Sequence, residues 1–290
     1  MSIPMNSHCI QCHLNKNLET ARELGDSETA TAFAHELLMV HYNAPKDASS
    51  PYLGPPTNAL LEKYYGLTLE RFRKEKEDSN QFILERMDQL TRIVEQQTDP
   101  VLAALRFSIL GNYLDFHALH GQVSFEKLDQ MLLEALDMPL DMAVYDQLRK
   151  DMAQGKTLLY ITDNAGEIGF DRILAQQIHK EYPQLRITFL VRGQIAQNDA
   201  TREDAEVIGL EFPVIDNGND VAGTEFSLLS PEAKEAIETS DVIIAKGMGN
   251  TESMFGCGYN VYYALLVKCI RFMEFFQKPM MTPLLVKDHK

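Results

Sequence analysis

Four polar clusters in the second half of the sequence combine several oxygen ligands with a single lysine. They occupy residues 162–167, 192–199, 216–220 and 246–250. Carboxylate and amide oxygens suit Mg²⁺, Mn²⁺ and similar divalent ions better than they suit soft metals. An ion held by three protein oxygens keeps positions for water and for a phosphoryl oxygen, while a lysine binds other phosphate oxygens as a point charge. The clusters therefore indicate metal-assisted phosphate hydrolysis.

Each cluster follows a short apolar run. These runs cover 158–161, 187–191, 212–215 and 242–245, and a fifth covers 261–267. They begin roughly 20 to 30 residues apart, which is the length of a strand plus a crossover helix and predicts parallel strands. In an open parallel sheet, ligands bind beyond the carboxyl ends of the strands. We therefore expect all four clusters to lie at one edge of the sheet.

Helix starts are predicted between these strands. Gly166 allows the backbone to approach a ligand closely, and a helix that begins near Glu167 would point N–H groups toward an anion. Ser230 and Pro231 form a further start, with a capping residue followed by proline at the first helical position.

The first half of the sequence has a helical pattern. Apolar residues recur at three- and four-residue spacing, for example over 82–94, which indicates amphipathic helices. Another helix is predicted over 100–118, with Asp99 as its N-cap and Pro100 in its first turn. Residues 43–57 hold four prolines and little periodicity, which predicts a loop.

This change of pattern predicts two parts. An amino-terminal helical domain would cover 1–153, and an α/β domain that binds metal and phosphate would cover 154–290. A single packed unit fits the pattern nearly as well.

Composition excludes several classes of protein. The formal net charge of −15 argues against a broad basic surface for nucleic acid or an anionic membrane, so a phosphorylated ligand must be held by a local site. No apolar run approaches the roughly 18 residues that span a bilayer. The four cysteines and the absence of a secretory signal at the start of the sequence predict a reducing, cytoplasmic location.

The clusters also carry a recognisable combination of motifs. Asp163-Asn164-Ala165-Gly166-Glu167-Ile168, Asn198-Asp199-Ala200-Thr201 and Lys246-Gly247-Met248-Gly249-Asn250 resemble the damage-control phosphatase family. Residues 111–116 resemble the helical Gly-Asn-x-x-Asp element of that family, and Cys9-Ile10-Gln11-Cys12 resembles the cysteine pair of its prokaryote-type branch. The similarity touches most of the chain.

This resemblance implies an α/β fold, with helices packed on both faces of a mostly parallel sheet in three layers and an all-helical amino-terminal part. It implies a phosphatase that uses Mn²⁺, Co²⁺, Ni²⁺ or Mg²⁺ and acts on small phosphorylated metabolites, such as sugar phosphates or damaged cofactor precursors. The metal ligands would be Asp163, Asn164 and Asp199, and the catalytic residues Asp163, Lys246 and Glu167. Substrate and phosphate would be bound by Lys246, Asn250, Glu167, Asn112, Asp115 and Gly166.

Several of these residues have simpler interpretations. Asp163, Asn164 and Asp199 could cap helices or form turns, and Lys246 could form a surface ion pair. Glu167 could stabilise the first turn of a helix through its charge, and Asn112 with Asp115 could form a buried hydrogen-bonding pair. Thr251 stands where relatives often carry an aromatic residue, so this sequence departs from the family pattern beside the predicted substrate pocket.

Rival functions predict other motifs. A dinucleotide-binding domain would carry Gly-x-Gly-x-x-Gly after its first strand, and a phosphatase with an aspartyl nucleophile would carry Asp-x-Asp-x-Thr. Hydrolysis by metal-activated water therefore fits better than a covalent phosphoenzyme. An S-adenosylmethionine-dependent carboxyl methyltransferase and a non-catalytic sensor of phosphorylated metabolites remain alternatives. Cys9 and Cys12 with His13 match a haem-attachment pattern, but that attachment normally follows export, and structural thiols or a partial metal site fit this sequence better. The oligomeric state stays open.

Overall fold

A computed structural model of the chain describes residues 2–114 and 134–287. Its strands form one six-stranded sheet in the order β3-β2-β1-β4-β5-β6. The first five strands are parallel, whereas β6 pairs with β5 in the antiparallel direction. The strands are β1 (Thr157–Ile161), β2 (Arg186–Val191), β3 (Val214–Asp216), β4 (Val242–Lys246), β5 (Val261–Leu266) and β6 (Pro283–Lys287). The five predicted strands and their parallel arrangement are confirmed.

Helices cover both faces of this sheet, because side chains of each strand alternate between two hydrophobic cores. Leu158 and Tyr160 point into one core, and Leu159 and Ile161 point into the other. The three-layer α/β/α prediction is confirmed. In the second half, the helices are α7 (Met142–Gln154), α8 (Glu167–Glu181), α9 (Arg202–Val207), α10 (Pro231–Thr239), α11 (Gly247–Met254) and α12 (Ile270–Phe276).

The amino-terminal part is helical, as predicted, but its boundaries differ in three places. The helices are α1 (Ser7–Leu24), α2 (Ser27–Asn43), α3 (Gly54–Tyr65), α4 (Arg73–Leu84), α5 (Met87–Glu95) and α6 (Pro100–Gly111). The helix expected over 82–94 is divided between α4 and α5. Asp99 caps α6 by accepting from the N–H of Leu102 at 2.9 Å, but the α-helix ends at Gly111 and a 3₁₀ turn covers Asn112–Leu114. Residues 115–118 lie outside the described residues.

The loop prediction for 43–57 is wrong in its second half. A 3₁₀ turn covers Ser50–Leu53, and α3 begins at Gly54. Pro55 and Pro56 occupy the first turn of α3, where the N–H that proline lacks has no intrahelical partner in any case. Prolines at such positions favour a helix start rather than a loop.

Close packing between α6 and α8 connects the helical part to the sheet. A Cβ atom at Gly111 would lie 2.6 Å from the ring of Phe170, so only glycine permits this approach. One hydrophobic core includes Leu105 and Leu110 of α6 together with Ile168 and Phe170 of α8. The boundary at 153 stays a prediction, but α6 reaches the sheet edge where the polar clusters lie. Across 2–114 and 134–287, no helix has both the length and the apolar composition needed to cross a membrane.

Candidate active site

The predicted ligand residues lie on adjoining backbone segments. Asp163 follows β1, and Asn164 forms an isolated antiparallel bridge with Asp199, which follows β2. The N–H of Ala200 donates to the carbonyl of Asp163 at 2.7 Å. The side chains of Asp163 and Asn164 also touch, since Asn164 Nδ2 donates to Asp163 Oδ2 at 2.9 Å. The structure therefore brings the three proposed ligand residues to one place.

Two neutral amides hold the carboxylates of Asp163 and Glu167. Asn112 Nδ2 lies 2.7 Å from Asp163 Oδ2 and 3.0 Å from Glu167 Oε2. Asn164 Nδ2 lies 2.6 Å from Glu167 Oε2, and its Oδ1 accepts from Asn198 at 2.9 Å. Asn112 and Glu167 are fully buried, while Asp163 is 7% exposed. Asp163 is therefore the least buried carboxylate of this cluster, and the Asn164 amide beside it turns its nitrogen to Asp163 and its oxygen to Asn198.

Lys246 is the centre of a buried ion-pair network rather than part of a surface pair. Its Nζ donates to Glu167 Oε1 at 2.7 Å, to Asp171 Oδ1 at 2.8 Å and to the carbonyl of Ser108 at 2.9 Å. These partners use the three donors of an ammonium group. Burial alone would lower the pKa of Lys246, but the carboxylates of Asp171 and Glu167 raise it. Lys246 is therefore held protonated.

Asp171 is the second carboxylate that pairs with Lys246, and other buried groups hold it in place. Ser108 Oγ and Tyr160 Oη both donate to Asp171 Oδ1 at 2.8 Å. Burial raises the pKa of Asp171 to about 6, although the Lys246 ammonium acts in the opposite direction. The carboxyl of Asp171 therefore positions Lys246.

Asp199 is held by Arg192, whose side chain is also buried. Arg192 Nε donates to Asp199 Oδ2 at 2.6 Å, and another guanidinium nitrogen donates to Asn250 Oδ1 at 3.0 Å. Asn250 Nδ2 in turn donates to the carbonyls of Thr162 and Lys246. Asn250 thus connects the loops after β1, β2 and β4. The helix-cap interpretation of Asp199 is not what the structure shows, since Thr201 is the N-cap of α9.

Gly166 is the N-cap of α8 and has a φ of 73°, a conformation that favours glycine. A Cβ at this position would lie 2.7 Å from the carbonyl oxygen of Ser79, so the close neighbour that requires glycine is α4. The N–H groups of Ala165, Gly166, Ile168 and Gly169 all have protein acceptors. Phosphate binding by Gly166 stays a prediction, and an anion there would compete with these acceptors.

Gly247 keeps the space around Asp163 open. Its φ is 74°, and a Cβ there would lie 1.9 Å from Asp163 Oδ2. We expect Gly247→Ala to displace the Asp163 carboxylate and to lower any metal-dependent activity by about 10²-fold, because small displacements of reacting groups have effects of that size. Steady-state kinetics and metal titration would measure the effect.

Gly258→Ala is the matched control for that substitution. Gly258 has a φ of 85°, and no atom lies within 4 Å of a Cβ built there. Both variants carry the backbone strain of a left-handed alanine, about 1 to 2 kcal/mol, but only Gly247→Ala adds the collision. Equal activity losses in the two variants would contradict a specific role for the space beside Asp163.

Sequence reasoning missed three contributors to the site. Ser108 and Asn80 lie in helices, and nothing in the sequence around them predicts a role in the site. Lys268, which is 5% exposed and donates to the carbonyl of Asn112 at 2.6 Å, follows β5 at the same sheet edge. Because ligands bind beyond the carboxyl ends of parallel strands, applying that expectation to β5 as well would have identified Lys268. The predicted substrate residue Asp115 lies outside the described residues.

The cysteine motif is separate from these contacts. Cys9 and Cys12 lie in α1, and both are free thiols, as are Cys257 and Cys269. In the described part of the chain, no three His, Cys, Asp or Glu side chains form a group that could hold a metal ion. The predicted ligand set differs from such groups because Asn164 would supply an amide oxygen, which here accepts from Asn198. Its donors suit a hard divalent ion, and the space kept by Gly247 lies beside them.

Comparison with known proteins identifies the family. Residues 5–282 match the damage-control phosphatase ARMT1-like domain. An uncharacterized protein of Methanocaldococcus jannaschii is 31% identical over 285 residues, which cover 92% of this chain and 90% of that protein. A damage-control phosphatase of Archaeoglobus fulgidus is 33% identical over 181 residues, or 61% of this chain and 62% of that protein. One from Pyrococcus horikoshii is 32% identical over 170 residues, or 57% and 58%.

The fold has a counterpart among solved structures. The crystal structure of a DUF89 family protein from Pyrococcus horikoshii superposes with a TM-score of 0.83 at 24% identity, and the alignment covers 100% of both chains. That likeness shows the fold alone. Membership of the prokaryote-type branch, suggested by the Cys9 and Cys12 pair, stays a prediction. The resemblance at family level is confirmed, and the chain belongs to the damage-control phosphatase ARMT1-like domain family.

Proposed function

We propose that this protein is a divalent-metal-dependent phosphatase that hydrolyses small phosphorylated metabolites. The names of the two relatives called damage-control phosphatases support the reaction class. Because the matched stretch spans less than two thirds of each of those proteins, their names support no more than the reaction class. The geometry of this chain supports the metal dependence, and the resemblance to the family suggests the substrate class.

The meeting of two loops that carry carboxylates at the sheet edge is the observation that carries the proposal. Lys246 contacts the fully buried carboxylates of Glu167 and Asp171, whereas Asp163 is the least buried carboxylate of the cluster. The bridge between Asn164 and Asp199 brings the loop after β2 beside Asp163. Carboxylate and amide oxygens from these two loops would suit a divalent cation.

The residues of the chain then have distinct roles. Asp163, Asn164 and Asp199 would hold the ion, which supplies charge stabilisation to a phosphoryl group and makes water a better nucleophile. Arg192 fixes the carboxylate of Asp199, and Lys246 fixes Glu167. Asn112 binds two carboxylates at once and so holds Asp163 relative to Glu167. Lys246, whose three donors are taken by protein groups, and Lys268 would act on the substrate phosphate through their positive charge.

A metabolite screen tests the proposal. Purified protein stripped of metal would be assayed for phosphate release from sugar phosphates and an aryl phosphate with Mn²⁺, Co²⁺, Ni²⁺ or Mg²⁺ added in turn. We expect hydrolysis with at least one ion and none in chelator. Undiminished hydrolysis in chelator would contradict metal dependence. Binding of a phosphorylated metabolite without turnover would indicate a sensor, and methyl transfer from S-adenosylmethionine without metal would indicate the methyltransferase.

A further inference from the structure

The helical amino-terminal part contributes a side chain that joins two loops of the candidate site. Asn80 lies in α4 and is 3% exposed. Its Oδ1 accepts from the N–H of Gly166 at 2.7 Å, and its Nδ2 donates to Asp204 Oδ1 at 2.8 Å. Gly166 caps α8 next to the Asp163 loop, and Asp204 lies in the first turn of α9 next to the Asp199 loop.

The amide of Asn80 satisfies both neighbours at once. A backbone N–H is always a donor, and a carboxylate paired with lysine is an acceptor, so the side chain between them must accept at one end and donate at the other. The two fixed neighbours also determine which end of the Asn80 amide is oxygen. A buried amide with both ends satisfied is favourable, whereas one unsatisfied end is costly.

Asp204 links Asn80 to the Asp199 loop through its hydrogen bonds with Thr201. Its Oδ2 accepts from the N–H of Thr201 at 2.7 Å and from Thr201 Oγ1 at 2.8 Å, in a capping box. The same oxygen pairs with Lys76 of α4 at 2.8 Å, and both side chains are less than 10% exposed. Ala200, beside Thr201, donates to the carbonyl of Asp163. Asn80 and Lys76 therefore hold two stretches of backbone. One is at Gly166, shortly after Asp163, and the other is at Thr201, shortly after Asp199.

We propose that Asn80 is a positioning residue that sets the separation of the Asp163 and Asp199 loops, and hence the geometry in which their oxygens meet a divalent ion. This inference rests on the proposed function, because it assigns a purpose to α4 within the same site. Asn80 itself touches neither ion nor substrate. Its effect is transmitted through the backbone at Gly166 and through Asp204.

Three variants of the Asn80–Asp204 pair test whether Asn80 positions the two loops. Asn80→Ala removes both hydrogen bonds, and Asn80→Asp keeps the acceptor for Gly166 but places a carboxylate against Asp204. The double variant Asn80→Asp with Asp204→Asn restores one donor and one acceptor between the two side chains at unchanged total charge. We expect Asn80→Ala to weaken Mn²⁺ binding and lower kcat by about 10- to 100-fold, as removal of groups that orient metal ligands does. KM should change by less than about 3-fold, and the double variant should recover most of the loss.

Hydrogen exchange separates failure of this inference from failure of the proposed function. In the metal-free protein, the Gly166 amide should exchange faster in Asn80→Ala and slowly again in the double variant. If the wild-type protein releases no phosphate with any metal, the phosphatase proposal fails, but the exchange result still decides the role of Asn80.

Gln81→Ala is the matched control, since Gln81 is exposed in the same helix and bonds only to Glu85 among the described hydrogen bonds. It should change neither Mn²⁺ affinity nor exchange at Gly166. Unchanged Mn²⁺ affinity and exchange in Asn80→Ala would overturn the inference. So would a double variant as impaired as Asn80→Asp, or an equal loss in Gln81→Ala. Should Asn80→Ala fail to fold, the Mn²⁺ affinity of Asn80→Asp compared with that of the double variant decides whether Asn80 has this role.

Discussion

Asp163→Ala is expected to abolish metal binding and to lower phosphatase activity by about 10³-fold or more. Such a loss corresponds to about 4 kcal/mol of transition-state stabilisation, within the range that a bound metal ion supplies. Asp163 is the partly exposed carboxylate of the cluster and lies beside the Asn164 amide and the Asp199 backbone. Isothermal titration with Mn²⁺ and single-turnover phosphate release would measure the two effects.

Stability should not follow activity. Because the side-chain oxygen of an asparagine can still accept from Asn112, the isosteric Asp163→Asn should unfold at nearly the same temperature as the wild-type protein in chelator. Asp146→Asn, on the exposed side of α7, is the control and should alter neither property. Full activity of Asp163→Ala in chelator would exclude the proposed chemistry, and a large loss of stability would show that Asp163 mainly supports the fold.

Lys246→Met should lower the free energy of unfolding by about 3 to 5 kcal/mol, because it leaves two buried carboxylates without their counter-charge. Both partners, Glu167 and Asp171, are fully buried, as is the lysine. Urea-induced unfolding followed by circular dichroism would measure the change. Activity should fall together with stability, since Glu167 would no longer be fixed beside Asn112 and Asn164.

The pH dependence of this variant follows from Asp171. Burial raises the pKa of Asp171 to about 6 even with the ammonium present, against an ordinary value of 3.8. The folded state then binds more protons than the unfolded state, so stability falls as pH rises through the folded pKa. Removing Lys246 takes away a charge that lowers this pKa, so the variant gains more from protonation than the wild-type protein does, and its deficit should shrink as pH is lowered from 7 toward 5.

A charge-neutral network provides the control. Combining Lys246→Met with Glu167→Gln and Asp171→Asn removes all three charges and should recover most of the lost stability without restoring activity. If the triple variant is no more stable than Lys246→Met alone, the loss comes from packing of the lysine side chain and not from unpaired carboxylates.

The strands and the sheet edge were predictable from the sequence because parallel strands are buried on both faces and read as continuous apolar runs. The same rule put Asp163, Asp199 and Lys246 at one edge, where the structure has them. Strand β6 was missed because a short apolar run that begins at Pro283 carries no crossover spacing, and it joins the sheet as an antiparallel edge.

The helical contribution to the site was not predictable by local rules. Asn80 and Gly166 are 86 positions apart, and α4 reads as a charged, solvated helix. Yet its Lys76, Ser79 and Asn80 are buried against the loops. Local pattern distinguishes a polar residue from an apolar one, but it does not show whether a polar residue has a buried partner far along the chain.

The spread of the site along the sequence also has a consequence during protein synthesis. Asn80, Ser108 and Asn112 leave the ribosome well before the partners that hold them, and Lys246 follows Ser108 by 138 positions. Amino-terminal segments generally begin folding first. Here, however, a nascent chain cannot assemble the candidate site until Lys246 and Asn250 have emerged, so products that terminate before these residues would lack it.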